Sequence, residues 1–124
     1  YVQRFQQRAK AVAACQQPEG YWTRSMLCEA DAPGYETSGT AFFTYGMLWG
    51  VNNGLLNAKE FKPVIDKAWK YLTTIALQPD GGIGYVQQIG EKPDPTRIAD
   101  ASSQHPFGTG AWLLAACEYY KSLK

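Results

Sequence analysis

The chain is poor in histidine and cysteine and carries almost no net charge. Its 1 histidine and 3 cysteines include no C-x-x-C pair, and no spacing of His, Cys, Asp or Glu is typical of a metal site. A net charge of +1 without a stripe of Lys and Arg excludes a surface that follows a phosphate backbone. The single histidine, His105, has no nucleophile motif beside it to complete a Ser-His-Asp triad. We therefore expect no metal, no cofactor and no nucleic-acid partner.

Charged residues are also missing from two long segments, 37–58 and 101–117. A membrane span is the first alternative for such a run. The first segment is too polar for one, because it holds four glycines and several Ser, Thr and Asn residues. It predicts a helix that is buried nearly all round. Gly46, Gly50 and Gly54 lie four residues apart, which would let a neighbouring backbone approach, and Gly54 is placed to end the helix.

The cysteine content does not indicate whether the protein works in a reducing or an oxidising compartment. Cys15 and Cys28 lie near the first polar loop and could pair, although free buried thiols are the interpretation we favour. Cys117 lies among small apolar residues and is predicted to pack within a helix.

Two other segments show an amphipathic helical pattern. Apolar residues recur at spacings of 3 and 4 through 2–16 and again through 61–76, with charged residues on the other face. Charged helices thus alternate with uncharged ones. This favours an all-α double layer, an α/α toroid, over a four-helix bundle whose helices would all be amphipathic alike. We predict two helical hairpins, 1–56 and 57–124, and a short strand or hairpin arm over 82–88.

One motif occurs twice. Gln17-Pro18-Glu19-Gly20-Tyr21-Trp22 returns as Gln78-Pro79-Asp80-Gly81-Gly82. Each copy leads through a polar loop to an uncharged helix that opens with Gly-Thr, at Gly39-Thr40 and Gly108-Thr109. The two copies of the motif begin 61 positions apart, whereas the two Gly-Thr openings lie 69 positions apart. The second loop is therefore 8 residues longer than the first. A helix-loop-helix unit repeated at this scale stacks on its neighbours.

Both long loops should lie at the same end of the layer, beside the N-termini of the uncharged helices. Helix N-termini present free N–H groups and a positive dipole end, which suit an anionic ligand. An aromatic residue, a cation and a carboxylate in these loops could bind a sugar acid. The candidate substrate-binding residues are Trp22, Arg24, Tyr35, Glu36 and His105. Structural roles compete with this one: Glu36 at a helix dipole, Trp22 over the core, and His105 as an ordinary loop residue.

The ordered motifs resemble glycoside hydrolase families 88 and 105. The resemblance rests on Gly20-Tyr21-Trp22, Gly34-Tyr35-Glu36-Thr37-Ser38-Gly39-Thr40-Ala41-Phe42-Phe43, Tyr45-Gly46, Trp49-Gly50, Gly54-Leu55-Leu56, Ala68-Trp69, Asp80-Gly81 and Gly108-Thr109-Gly110-Ala111-Trp112-Leu113-Leu114-Ala115. It implies an (α/α)6 six-hairpin toroid that hydrolyses Δ4,5-unsaturated uronic acids left by polysaccharide lyases. It also implies metal-free chemistry, in which an aspartic acid protonates the double bond, water adds, and a hemiketal collapses to release the sugar.

The chain departs from these families in one respect. Their catalytic aspartate and their Arg-Gly-Asn-x-Trp stretch precede the part matched here, and neither occurs in this sequence. The resemblance therefore implies a C-terminal part of an (α/α) barrel glycosidase domain over residues 1–124, inactive alone, with an oligosaccharide as substrate of the full-length protein. No catalytic residue is carried over. Tyr1 in place of Met agrees with a chain that begins further upstream.

Two alternatives stay open. The motif at Gln17 and Gln78 also resembles the Gln-Trp repeats of terpene cyclases, although no Asp-rich acid motif accompanies it. The other alternative is a non-enzymatic carbohydrate-binding or scaffold module that completes a ring by self-association, as a trimer would.

Overall fold

The computed structural model describes residues 1–92 and 94–124, which form an all-helical fold. Its α-helices are α1 (Val2–Ala14), α2 (Thr37–Asn52), α3 (Ala58–Tyr71) and α4 (Pro106–Ser122). α3 continues into a π-helical turn, Leu72–Ala76. Within the described residues the only β contact is an isolated antiparallel bridge between Leu77 and Ile83, so segment 82–88 begins with a hairpin contact but forms no strand.

The uncharged helices form the centre of the fold. The most extensive helix–helix contact joins α2 to α4. One core cluster lies between these two helices and the end of α3, and includes Ala41, Tyr71, Leu72, Ala111 and Ala115. A second cluster lies between α1, α2 and α3, and includes Ala9, Trp22, Leu48, Phe61 and Ile65. α1 and α3 thus each bury one face and expose their charged residues, as their amphipathic pattern predicts.

The repeated motif forms the same turn twice. In the first copy the N–H of Gly20 donates to the carbonyl of Gln17 (2.9 Å), and that of Gln17 donates to the carbonyl of Tyr21 (2.8 Å). In the second copy Gly81 and Gln78 make the corresponding bonds at 2.9 and 2.8 Å. Both glycines have positive φ, 100° and 87°, a conformation that side chains with a Cβ rarely adopt. The turn explains why proline and glycine recur at these spacings.

Local signals in the sequence set the junction between α2 and α3. Gly54 has φ 73°, and the N–H groups of Gly54 and Leu55 donate to the carbonyls of Val51 and Gly50. This is the Schellman arrangement, so Gly54 ends α2 as predicted. The Asn57 side chain then accepts a hydrogen bond from the N–H of Glu60 (3.0 Å) and caps α3.

The inner helices are not buried all round. Phe42 and Trp49 on α2, and Leu113 and Leu114 on α4, are 40–54% exposed. The predicted near-complete burial is therefore wrong for these flanks. The physical reason is that the described residues cover these four side chains only in part, so each of them meets solvent.

Some smaller predictions also change. The three cysteines are free, as favoured, but Cys28 and Cys117 are exposed rather than buried. A Cβ built on Gly46 would meet nothing within 4 Å, whereas one on Gly50 would lie 2.7 Å from Leu56. Of the three glycines, only Gly50 is closely approached by another part of the chain. The approaching atoms belong to side chains and not to a neighbouring backbone, as had been predicted. Within the described ranges no helix is long and apolar enough to cross a bilayer.

Candidate functional site

The two long loops meet at one end of the molecule. The first loop (15–36) leads into α2 and the second (77–105) leads into α4. The Thr37 N–H donates to the carbonyl of Tyr85 (2.8 Å), and its hydroxyl donates to the carbonyl of Gly84 (2.7 Å). The start of α2 therefore holds the second loop in place, and the helix N-termini share the face where both loops lie.

Glu36 is the N-cap of α2. Its Oε1 accepts from the N–H (2.9 Å) and hydroxyl (2.6 Å) of Ser38, and its Oε2 accepts from the N–H of Gly39 (2.7 Å). Oε1 also accepts from the N–H of Gln87 in the second loop (3.2 Å). The side chain is buried, with 2% of the residue exposed. The carboxylate thus joins the start of α2 to the second loop. This is the structural role at a helix N-terminus that was weighed above against substrate binding.

Trp22 lies inside the core. It is 1% exposed, and its indole Nε1–H donates to the carbonyl of Val12 at 2.7 Å. The indole packs edge-to-face on Phe43, with ring centroids 5.4 Å apart. The Trp22 main-chain N–H donates to the hydroxyl of Thr40 (3.0 Å). In this arrangement Trp22 fastens the first loop to α1 and α2, and its one polar side-chain atom is already paired.

Tyr35 belongs to a cluster of four tyrosines. Its ring lies 4.9–5.6 Å, between centroids, from those of Tyr21, Tyr71 and Tyr85. Its hydroxyl donates to Oε2 of Glu19 (2.8 Å), and this hydrogen bond is the main cause that raises the pKa of Tyr35. Burial raises the pKa of Tyr71. Both phenols therefore stay protonated near neutral pH, and the half-buried Tyr35 and Tyr85 give the loop face an aromatic surface.

Tyr85 is the residue that sequence reasoning missed. Its φ of 60° makes it the only non-glycine with positive φ among the described residues. Its N–H donates to the carbonyl of Asp100 (2.9 Å), and its carbonyl accepts from Thr37. Such conformations cost free energy and persist where surrounding contacts impose them, often at functional sites. No signal in the sequence marks this position, because the conformation is imposed by contacts with residues far away in the chain.

Arg24 and His105 also lie at the loop face. Among the described residues, no hydrogen bond or ring contact joins either side chain to the four tyrosines. Nη2 of Arg24 donates to the main-chain carbonyl of Asp94 (2.9 Å), across the two loops. His105 is the N-cap residue of α4 but makes no capping bond with its side chain. Its imidazole stacks on Phe107, with centroids 5.3 Å apart and planes 7° from parallel. Both side chains are half-buried.

A cavity of about 300 Å³ lies between the loops, next to Arg24. Its lining combines cationic, acidic and amide side chains with main chain from the second loop. The lining residues are Arg24, Val86, Gln87, Gln88, Gly90, Glu91, Lys92, Asp94, Thr96, Arg97, Ile98, Ala99 and Ser103. Its volume is at the lower end of the range for small-molecule sites, about 300–1,000 Å³. It is therefore large enough to hold a group the size of a sugar ring.

Two carboxyl groups of the second loop, those of Asp94 and Asp100, are poorly suited to act as general acids. Hydrogen bonds from Thr96 lower the pKa of Asp94, and hydrogen bonds from Ser102 lower that of Asp100. A general acid near neutral pH needs a raised pKa instead. In the described part of the chain no group of three or more His, Cys, Asp or Glu residues is placed to hold a metal ion.

Comparisons with known proteins place this fold. The sequence profile of Glycosyl Hydrolase Family 88 matches residues 1–123. A curated protein from Alteromonas sp. (strain LOR), an unsaturated 3S-rhamnoglycuronyl hydrolase, is 39% identical over 118 residues, which cover 95% of this chain and 28% of that protein.

Two solved structures are more similar in sequence. One is a glycosyl hydrolase family 88 protein from Bacteroides vulgatus, with 63% identity, a TM-score of 0.91, and coverage of 96% of this chain and 34% of that one. The other is described as a polysaccharide lyase, with 66% identity, a TM-score of 0.94, and coverage of 99% and 35%. The chain thus spans about a third of the length of these proteins. The predicted fold, an all-α portion of an (α/α) barrel, is confirmed, as is the predicted resemblance.

Proposed function

This chain belongs to Glycosyl Hydrolase Family 88, and from that membership we propose that it is part of a hydrolase acting on Δ4,5-unsaturated uronic acid residues of polysaccharide-lyase products. The observation that carries the proposal is the family match across residues 1–123. It is supported by the curated relative, an unsaturated 3S-rhamnoglycuronyl hydrolase that aligns with 95% of the chain. The same match favours a glycosidase over a terpene cyclase.

Within that enzyme, the loop face forms one wall of the substrate cleft. Arg24, Tyr35 and His105 are the residues of the predicted set with half-exposed side chains, and we assign them contacts with the sugar. We assign Trp22 and Glu36 the role of supporting this wall. Their side-chain polar atoms already form hydrogen bonds with the main chain of α1 and with the start of α2. Tyr35 and Arg24 lie on different parts of the loop face and suit different parts of a sugar acid, since the ring can pack on a sugar face and the guanidinium can pair with a carboxylate.

The reaction is the hydration of a double bond. A carboxylic acid transfers its proton to one carbon of the double bond, and water adds to the neighbouring carbon as it loses a proton. The hemiketal so formed opens the sugar ring and leaves a hemiacetal at C1. Collapse of this hemiacetal breaks the glycosidic bond, and the rest of the oligosaccharide leaves as an alcohol. Asp94 and Asp100 of the second loop have lowered pKa values and do not suit the role of this acid. In the families that this sequence resembles, the catalytic aspartate precedes the part matched here, so we place the acid outside this segment and expect the 124-residue chain alone to be inactive.

The ultraviolet absorbance of the substrate tests this proposal. The double bond of an unsaturated uronic acid is conjugated with its carboxylate, so hydration abolishes the absorbance. The full-length protein, incubated with unsaturated oligosaccharides from a lyase digest of an acidic polysaccharide, should make the absorbance fall. The isolated chain is the control and should leave it unchanged. A steady absorbance with full-length protein, across digests of several uronic acid polysaccharides, would contradict the proposal.

A second candidate function is favoured by one observation. The solved structure with 66% identity and a TM-score of 0.94 is described as a polysaccharide lyase. A lyase breaks the bond next to a uronic acid by removing the proton at C5 and expelling the leaving group at C4, which creates the double bond. The same measurement separates the two reactions. A lyase would raise the absorbance of a saturated uronic acid polysaccharide, whereas a hydrolase would lower that of an unsaturated oligosaccharide.

A further inference from the structure

The backbone at Tyr85 is strained and is held by several hydrogen bonds. Its φ of 60° lies in the left-handed region, which residues with a Cβ rarely adopt. The Tyr85 N–H donates to the carbonyl of Asp100 (2.9 Å), and its carbonyl accepts from the N–H of Thr37 (2.8 Å). The next N–H, that of Val86, donates to the carbonyl of Ser103 (3.0 Å). Because a strained conformation persists only where its surroundings impose it, these bonds keep Tyr85 in a geometry that it would otherwise leave.

A buried pair of hydroxyl groups lies behind this backbone. The Thr37 hydroxyl donates to the carbonyl of Gly84 (2.7 Å), and its Oγ1 lies 2.9 Å from the hydroxyl oxygen of Tyr71. A carbonyl can only accept, so the single hydrogen of the Thr37 hydroxyl goes to Gly84 and Tyr71 is the donor of the other bond. Thr37 and Tyr71 have no exposed surface. The Tyr71 hydroxyl therefore fixes the direction in which Thr37 donates, which is toward the residue before Tyr85.

We propose that Thr37 and Tyr71 are positioning residues that hold Tyr85 at the loop face, so that its ring meets the saccharide in one orientation. The Tyr85 ring is half-exposed and packs edge-to-face on Tyr35, with centroids 5.1 Å apart. Tyr71, at the end of α3, is fully buried, so it acts through Thr37 and not by contact with the ligand. The saccharide contact rests on the proposed function, whereas the hold on Tyr85 rests on the hydrogen bonds alone.

Loss of the Thr37 hydroxyl should affect the Tyr85 ring more directly than it affects the rest of the fold. Without the bond to Gly84, one of the contacts that oppose the strain is gone. A change of φ at Tyr85 turns the direction in which its Cβ and ring leave the backbone. A ring that samples several orientations binds a sugar less tightly, because one orientation has to be selected on binding.

Steady-state kinetics of the full-length protein test the inference, with the absorbance of an unsaturated oligosaccharide as the signal. Thr37→Val removes the hydroxyl at nearly constant volume and should raise KM by about three- to tenfold, the size expected for one weakened aromatic contact. kcat should stay within about twofold, since the ring binds ground state and transition state alike. Tyr71→Phe keeps its ring and should raise KM by a smaller factor. Thr37→Ser keeps the hydroxyl and should retain the wild-type KM.

Thr44→Val provides the matched control on the same helix. Thr44 is as fully buried as Thr37, but its hydroxyl donates to the carbonyl of Thr40 within α2 (2.7 Å). This variant should keep the wild-type KM, and a loss of folded protein alone would lower the apparent kcat and leave KM unchanged.

A double-mutant cycle shows whether Thr37 acts through Tyr85. Tyr85→Ala removes the ring and should raise KM at least as much as Thr37→Val. Added to Tyr85→Ala, Thr37→Val should raise KM no further, because the ring that it positions is already absent. A full additional increase would show that Thr37 affects binding by another route and would overturn the inference.

Amide hydrogen exchange of segment 83–88 in the full-length protein measures the hold on Tyr85 without any substrate. The N–H groups of Tyr85 and Val86 are hydrogen-bonded to carbonyls of the second loop and report on its local opening. Thr37→Val should accelerate their exchange by about tenfold or more. Thr37→Ser and Thr44→Val should leave it unchanged. Circular dichroism checks that each variant is folded.

The inference is overturned if folded Thr37→Val keeps the wild-type exchange of segment 83–88 or the wild-type KM. If Thr37→Val does not fold, Tyr71→Phe decides both measurements in the same way. Failure of the inference is separable from failure of the proposed function. A fall in absorbance with the wild type, together with an unaltered KM in the variants, would refute the positioning role alone. Accelerated exchange in a protein that leaves the absorbance unchanged would refute the proposed function and retain the hold on Tyr85.

Discussion

At the scale of single residues, burial separates supporting side chains from those that can meet a ligand. Trp22 and Glu36 were predicted to bind substrate together with Arg24, Tyr35 and His105. Both are almost fully buried, and the hydrogen bonds of their side chains join the first loop to α1, α2 and the second loop. Contact with substrate stays a prediction for all five residues. The geometry supports it most directly for Arg24, which lines a cavity.

Replacing Glu36 should destabilise the protein more than replacing an ordinary helix cap. Glu36→Ala removes the acceptors of four hydrogen bonds in a buried setting, and we expect a loss of about 2–4 kcal/mol in the free energy of unfolding. The exposed cap Asn57 provides the comparison, since Asn57→Ala removes one bond and should cost about 1 kcal/mol. Urea unfolding of both variants measures the difference. Equal losses would show that the Glu36 network adds nothing to simple capping.

At the scale of elements, the repeated turn has the same hydrogen bonds in both copies but different surroundings. A Cβ on Gly20 would lie 2.0 Å from the main-chain oxygen of Lys67 in α3, whereas one on Gly81 would meet nothing within 4 Å. The first turn is therefore pressed against the outer helix of the next hairpin, and the second turn is free on that side. Sequence similarity alone does not distinguish these two positions.

Alanine substitution should reveal this difference. Gly81→Ala carries the cost of positive φ alone, about 1–2 kcal/mol. Gly20→Ala carries that cost and also forces α3 away from the turn, so its loss should be larger by at least about 1 kcal/mol. Thermal or urea unfolding of the two variants in the same protein tests the ordering. A Gly81→Ala loss equal to or greater than that of Gly20→Ala would contradict the packing described here.

At the scale of the whole molecule, the inner helices of this segment leave apolar side chains uncovered. Phe42 and Trp49 on one flank, and Leu113 and Leu114 on the other, are each at least 40% exposed. Large exposed apolar patches mark surfaces that another element covers. Relatives about three times as long supply more chain, and we propose that further hairpins of the same barrel cover both flanks.

The isolated 124-residue chain should therefore bind a hydrophobic dye and self-associate. We expect stronger dye fluorescence from it than from an equimolar amount of the full-length protein, and light scattering should show species larger than a monomer. Replacing Phe42 and Leu113 with Gln should weaken both signals, whereas replacing the exposed Gln3 and Lys10 of α1 with Ala should not. A monomeric chain without dye binding would contradict this expectation. A discrete trimer would instead support the ring-completing module.

Much of the fold was predictable because its signals are local or periodic. The spacing of apolar residues predicted both amphipathic helices, the absence of charge predicted the two inner ones, and Gly54 was placed correctly at the end of α2. These signals act through burial and backbone conformation within a few residues. The order of motifs around Glu36 and Gly108 also indicated the family correctly.

The site was less predictable because its geometry depends on contacts between distant residues. The pattern of residues was enough to predict four helices, a turn that occurs twice and two loops that lead into uncharged helices. It did not show that Trp22 lies in the core, that Tyr85 is held at φ 60°, or that Arg24 and Arg97 line one cavity, because these features depend on packing. Helix periodicity and turn preferences are set by neighbouring residues along the chain. Side-chain burial, imposed strain and shared cavities arise only when segments far apart in sequence pack together.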